Sequence, residues 1–129
     1  MKMTIPAAVA AVIALSTDAQ AQNCDRPMTT PAGVIEIVQF RLAETVSREA
    51  FVAAAARTMP ALCAMDGFLG RVLSEGEGGL WMDHVRWTTA EAAQAAMAGS
   101  MENDALRPFI MSIDPNSMVM SYQVPVLLK

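Results

Sequence analysis

The sequence lacks a surplus of positive charge: 9 Lys and Arg stand against 13 Asp and Glu, giving a net charge of −4 and a pI ≈ 4.8. No basic field is present to hold the phosphates of nucleic acid or anionic lipid, so no nucleic-acid partner is expected. Its 2 cysteines form no Cys-x-x-Cys, which argues against dithiol redox catalysis. It has 1 histidine, no zinc-ligand spacing, no Gly-rich phosphate loop and no Ser-nucleophile motif, and no metal or other cofactor is expected from these patterns. No apolar run reaches the ~20 residues that a bilayer span requires. The 129 residues are material for one domain. What the chain does have is apolar content, 53% hydrophobic against 17% charged, the balance of a chain that buries much of itself.

Residues 1–21 account for part of that content and read as an export signal. Lys2 supplies a positive start, residues 5–15 (IPAAVAAVIAL) a short apolar stretch, and Ala19-Gln20-Ala21 a small-x-small cleavage site. Cleavage after Ala21 removes Lys2 and Asp18 and leaves the net charge at −4. The expectation is a periplasmic or secreted protein with no membrane attachment once the signal is gone. In an oxidising compartment Cys24 and Cys63 are candidates for a disulfide. The other reading leaves Cys63 as a buried thiol and Cys24 in a mobile tail.

Residues 22–33 (QNCDRPMTTPAG) are polar and carry two prolines and a glycine, so they read as a leader ahead of a domain at 34–129. Residues 34–42 (VIEIVQFRL) alternate with both faces mostly apolar, as in a central strand. Ser47 is an N-cap candidate for a helix with Phe51, Ala54, Ala55, Thr58 and Leu62 on one stripe. Pro60 should kink or interrupt that helix about one turn before Asp66-Gly67 closes it. Residues 67–89 split at Glu75-Gly76-Glu77-Gly78-Gly79 into a hairpin. Thr88-x-x-Glu91 forms a capping box for an alanine-rich helix with Ala92, Ala93, Ala96 and Met97 on one side. Residues 101–114 suggest a short helix or turn broken at Pro108. A last strand over 117–126 places Met118, Met120, Tyr122 and Val124 on one face.

The order β-α-β-β-α-β predicts a ferredoxin-like α+β fold: a four-stranded antiparallel sheet, order 4-1-3-2, with two helices on one face. The other face stays apolar. A small domain does not leave that much apolar surface in water, so a homodimer formed through the sheet is expected.

The run VIEIVQFRL, the alanine-rich helix after Phe51, Met65-Asp66-Gly67-Phe68-Leu69-Gly70-Arg71, and Gly79-Leu80-Trp81-Met82-Asp83-His84-Val85-Arg86-Trp87 together resemble the antibiotic biosynthesis monooxygenase-like, dimeric α/β-barrel superfamily over about residues 34–125. The resemblance implies a dimeric barrel. It also implies one of several activities, among them cofactor-independent oxygenation of aromatic polyketides or quinols and haem degradation. Haem-degrading relatives carry an Asn on the first strand and a His on the helix after the third. Here those elements offer Glu36 and Gln39, and no histidine.

Alternation along the third strand puts Trp81, Asp83, Val85 and Trp87 on one face and Leu80, Met82, His84 and Arg86 on the other. If Glu36 and Asp83 share the helix-facing side, they form an acid pair in an apolar site whose burial and mutual repulsion make one a general base. The competing reading pairs each acid with Arg41, Arg57, Arg71 or Arg86. His84 is a second candidate base, with Arg86 holding the resulting anion. The other role for His84 is a hydrogen-bonded lining of the dimer interface. Trp81, Trp87 and Phe40 would wall a site for a planar apolar ligand, or belong to the core. Met118, Met120 and His84 are a conceivable Cu(I) set, although methionine packing explains the same thioethers. The leading expectation is an exported enzyme that oxidises a planar aromatic or quinol compound without a cofactor. Its rival is a non-catalytic periplasmic protein that binds a small ligand or a partner.

Overall fold

The computed structural model describes residues 24–128, so the export signal lies outside the described residues. The apolar alternation of the first strand is realised in β1 (Val34–Phe40), whose residues alternate between buried and half-buried. It ends before Leu42, which instead makes an isolated bridge to Ile113. Ser47 caps α1 (Arg48–Arg57) by accepting from the Ala50 N–H at 3.1 Å. Pro60 divides the helical stretch: α1 stops at Thr58, and a separate short helix, α2 (Met59–Cys63), starts with the proline in its first turn. Gly67, at φ +82°, turns the chain into β2 (Phe68–Glu75). A side chain there would strike Thr88 Oγ1 and the Ala92 Cβ.

The hairpin forms as expected. β2 passes through a single 3-10 turn at Glu77–Gly79, in which Gly78 and Gly79 take positive φ, into β3 (Trp81–Trp87). The alanine-rich helix α3 (Ala90–Ala98) is capped one residue later than the sequence pattern suggested. Thr89, not Thr88, accepts the Ala92 N–H, while the Thr88 N–H is used by the Gly67 carbonyl. Pro108 initiates rather than breaks the next helix, α4 (Arg107–Met111), because a first-turn proline forfeits no helical hydrogen bond. β4 (Val119–Gln123) is shorter than the apolar run that contains it.

The four antiparallel strands lie in the order β2-β3-β1-β4, so β1 and β3 are central. Cross-strand partners share a face. The inner face therefore carries Val34, Glu36, Val38 and Phe40 of β1, Trp81, Asp83, Val85 and Trp87 of β3, and Met120 and Tyr122 of β4. Two buried clusters lie on this side. One gathers Val34, Phe68, Val85, Trp87 and Ala93; the other gathers Val38, Phe40, Phe51, Trp81 and Ile113. Burial of their apolar area, at roughly 25 cal/mol per Å², is the main force holding the layers together.

The segment read as a polar leader is part of the folded structure. Cys24 is disulfide-bonded to Cys63 at the end of α2, with a Cα separation of 5.8 Å. Beyond it, the carbonyls of Arg26, Pro27 and Thr30 accept hydrogen bonds from Arg86 on the outer face of the sheet. Among the described residues no helix is long and apolar enough to cross a membrane.

Candidate active site

Between the inner face and the helices lies an apolar cavity of about 300 Å³, near the lower end of the range for small-molecule sites. Val38, Phe40, Val85 and Trp87 form its floor, and Leu62, Leu106, Phe109, Ile110 and Ile113 its walls. Met65, Met97, Met101 and Met118 complete the lining. Flexible thioethers suit such a boundary, since they can adapt to the shape of a bound ring. Into this apolar setting the strands bring Glu36, Asp83 and Arg71.

The two carboxylates have opposite fates. Asp83 forms a bidentate ion pair with Arg71, Nε to Oδ1 and Nη2 to Oδ2 both at 2.8 Å, with both side chains buried. The remaining guanidinium nitrogen donates to Thr58 Oγ1 at 2.7 Å and to the Ala55 carbonyl at 3.3 Å, and the group lies 4.7 Å from the Phe109 ring centre. Arg71 reaches the inner face because a β-bulge between Phe68 and Gly70 shifts the register of β2, which places Arg71 opposite Val85. Simple alternation from Phe68 would have turned it outward.

Glu36 has no such partner. It is 8% exposed, diagonal to both Asp83 and Trp87 across the β1–β3 pair, and none of the ion pairs among the described residues includes it. Burial, and secondarily the negative charge of Asp83, push its carboxyl up from 4.5 to about 7. The Tyr122 hydroxyl, directly opposite on β4, hydrogen-bonds to Glu36 and opposes that rise. Burial and the adjacent Glu36 push the Tyr122 hydroxyl above its own ordinary value. A carboxylate that titrates near neutrality in an apolar cavity is equipped to take a proton from a weakly acidic hydroxyl.

The structure brings Glu36, Asp83, Phe40 and Trp87 to one cavity, but not every residue expected there. Trp81 sits in the core, its ring centre 4.7 Å from that of Phe51, and does not line the cavity. His84 and Arg86 are on the outer face, opposite Ile37 and Ile35. Arg86 does not hold an anion beside His84. It is 5% exposed beneath the leader, and its guanidinium donates to the carbonyls of Arg26, Pro27 and Thr30. His84 is thereby separated by the sheet from the inner-face Met118 and Met120, so the conceivable copper set is not assembled. Among the described residues no group of three or more His, Cys, Asp or Glu is arranged for a metal ion.

Strand parity groups Tyr122 with Met118 and Met120 but does not say which face of the sheet they share, and the pairing of Tyr122 with Glu36 depends on a β1–β4 register that no local pattern encodes. Trp87 adds a further polar group: its indole Nε1 is buried without a hydrogen-bond partner, on a residue that lines the cavity.

Similar architectures occur among solved structures. Rv0793 from Mycobacterium tuberculosis matches with a TM-score of 0.56 and 16% identity, over 74% of this chain and 96% of that one. SnoaB, a cofactor-independent oxygenase from Streptomyces nogalater, matches with a TM-score of 0.53 and 15% identity, over 74% and 93%. A Chloroflexus aurantiacus protein described as an antibiotic biosynthesis monooxygenase matches with a TM-score of 0.55 and 17% identity, over 74% and 96%. At these identities the likeness is one of fold. No protein-family model and no curated protein matches the sequence.

Proposed function

The chain has the antibiotic biosynthesis monooxygenase-like fold, and on that premise we propose that it is an exported monooxygenase-like protein that oxidises a planar phenol or quinol in its inner cavity without a cofactor. The observation that carries this reading is Glu36, a buried carboxyl raised to about 7 beside an apolar space large enough for a small ring system. The Asp83–Arg71 pair keeps a negative charge near Glu36 while remaining internally satisfied. Glu36 therefore acts as the base, its high proton affinity maintained chiefly by burial and secondarily by Asp83.

For a probe such as 1-naphthol, Glu36 accepts the hydroxyl proton and the electron-rich naphtholate reacts with O₂. One oxygen atom enters the ring at a C–H position to give the naphthoquinone, and the other leaves as water with the two hydrogens lost by the naphthol. Phe40 and Trp87 contact the ring, with Trp87 Nε1 free to donate to a ligand oxygen. Aerobic incubation followed by quinone absorbance and oxygen uptake tests the reaction. Loss of both in Glu36→Gln supports it. Tight binding of 1-naphthol with no oxygen uptake at any pH between 5 and 9 replaces the enzyme with the ligand-binding reading.

Export and self-association complete the proposal. A disulfide suits an oxidising compartment. The outer face offers Ile35, Ile37, Val72 and Val119, and the exposed Val124, Val126, Leu127 and Leu128 follow β4, an apolar surface suited to a second copy. Native mass spectrometry of the exported protein reads both the cleavage site and the dimer; a monomer that retains residues 1–21 refutes both.

A further inference from the structure

We infer that residues 24–33 form a redox-released strap that regulates the inner cavity, an inference that rests on the ligand-binding part of the reading above. One end of the strap is covalent, through the Cys24–Cys63 bond to α2. Beyond it the Arg26 N–H donates to the Leu69 carbonyl on the edge strand β2 at 2.6 Å. The outer-face Arg86 then donates to the carbonyls of Arg26, Pro27 and Thr30 at 3.2, 3.3 and 2.5 Å. The strap ends where the Gly33 N–H donates to the Trp87 carbonyl at 3.0 Å. It thus links a helix on the inner side to the outer face of the sheet.

The helix that anchors it is also a wall of the cavity. Leu62 and Met65 flank Cys63, and both line the cavity. Cys24 packs with Leu62 and Met65 against the cluster that contains Trp87. α2 itself is poorly secured: it has five residues, no side-chain cap and no fully buried residue. Cys63 is only half-buried, within reach of a small reductant. A dithiol supplies two electrons and two protons; the Sγ–Sγ bond breaks, Cys24 and Cys63 become thiols, and the reductant closes to its own disulfide. The strap is then held without a covalent anchor, by its hydrogen bonds and the packing of Cys24, and the Leu62–Met65 wall loses its tether, so the cavity retains its ligand less well.

The experiment compares 1-naphthol binding and amide hydrogen exchange in the oxidised protein, the same protein treated with dithiothreitol, and Cys24→Ser/Cys63→Ser. The expected result is binding weakened about ten-fold on reduction and in the variant, the size of an ordinary coupling between two sites, with the variant indifferent to dithiothreitol. Exchange should accelerate in residues 26–33 and 59–65 while β1 and β3 stay protected. Reduction proved by the mass gain of two hydrogens, with exchange in those two segments unchanged, overturns the strap. Faster exchange with unchanged 1-naphthol affinity overturns its control of the cavity. Absence of 1-naphthol binding in the oxidised protein overturns the cavity reading instead, and the exchange still decides whether the strap opens. If the double variant fails to fold, the reduced wild-type chain supplies the same comparison.

Discussion

The two faces of the sheet are built from the same strands but treat their polar side chains in opposite ways. On the inner face Glu36 is buried among apolar groups with a tyrosine for its hydrogen-bond partner, and its proton affinity rises. On the outer face Arg86 is equally buried, but the strap supplies it with three backbone carbonyls. A buried charged group costs several kcal/mol unless it is compensated. Where compensation is complete, as for Arg86 or the Asp83–Arg71 pair, the group is structural. Where it is partial, as for Glu36, the group is left with a pKa suited to proton transfer. Strand alternation makes His84 and Asp83, neighbours in sequence, members of these two different regions.

The largest effect expected from this contrast is catalytic. Glu36→Gln should slow 1-naphthol oxidation by about 10²–10⁴-fold, whereas His84→Ala on the other face leaves the rate unchanged; the reverse result would move the site to the outer face. Next, Cys24→Ser/Cys63→Ser opens a bridge that spans a sequence separation of 39, and urea unfolding should show a loss of about 4 kcal/mol.

The third prediction concerns pH. Glu36 binds its proton more tightly in the folded chain, at about 7, than at its ordinary 4.5. Its contribution to stability is therefore present in full below pH 4.5 and is lost as the pH rises through 7, a change of about 3 kcal/mol. Glu36→Gln should remove that slope and be the more stable protein at pH 8, as read by unfolding midpoints across the range. Arg86→Ala should cost about 2 kcal/mol through its lost charged hydrogen bonds and accelerate exchange in residues 26–33 without altering the Glu36 titration. The smallest effect is that of Tyr122→Phe, which should move the Glu36 midpoint upward, since the lost hydroxyl bond favoured the charged form. A downward move would show that the Tyr122 hydroxyl favours the protonated carboxyl instead.

Much of the fold was legible because local chemistry specifies it. Ser47 caps its helix, the Glu75–Gly79 run turns the hairpin, and apolar alternation marks β1. Parity grouped Glu36 with Val34, Val38 and Phe40, and Asp83 with Trp81, Val85 and Trp87, but that the two groups share a face was only a condition until the register of β1 and β3 met it. Arg71 was one of four arginines open as a partner for the acids, and the structure selects it for Asp83; parity could not single it out, because a bulge is a one-residue irregularity that composition does not reveal. Parity also could not separate Trp81 from Trp87: both face inward, but Phe51 fills the space beside the first and leaves the cavity to the second. The leader read as polar, and only its Cys24 hinted at an anchor, now seen in the bond to Cys63; the rest of its anchoring lies in backbone carbonyls, which carry no side-chain signature. Pro108 misled for a related reason, because proline ends one helix and begins another with equal ease depending on its position.

Titration of the Glu36 carboxyl carbon by NMR, identified by its absence in Glu36→Gln, tests the central claim most directly. The account predicts a midpoint near 7 that shifts when 1-naphthol is added. A midpoint near 4.5, unmoved by the ligand, would contradict it.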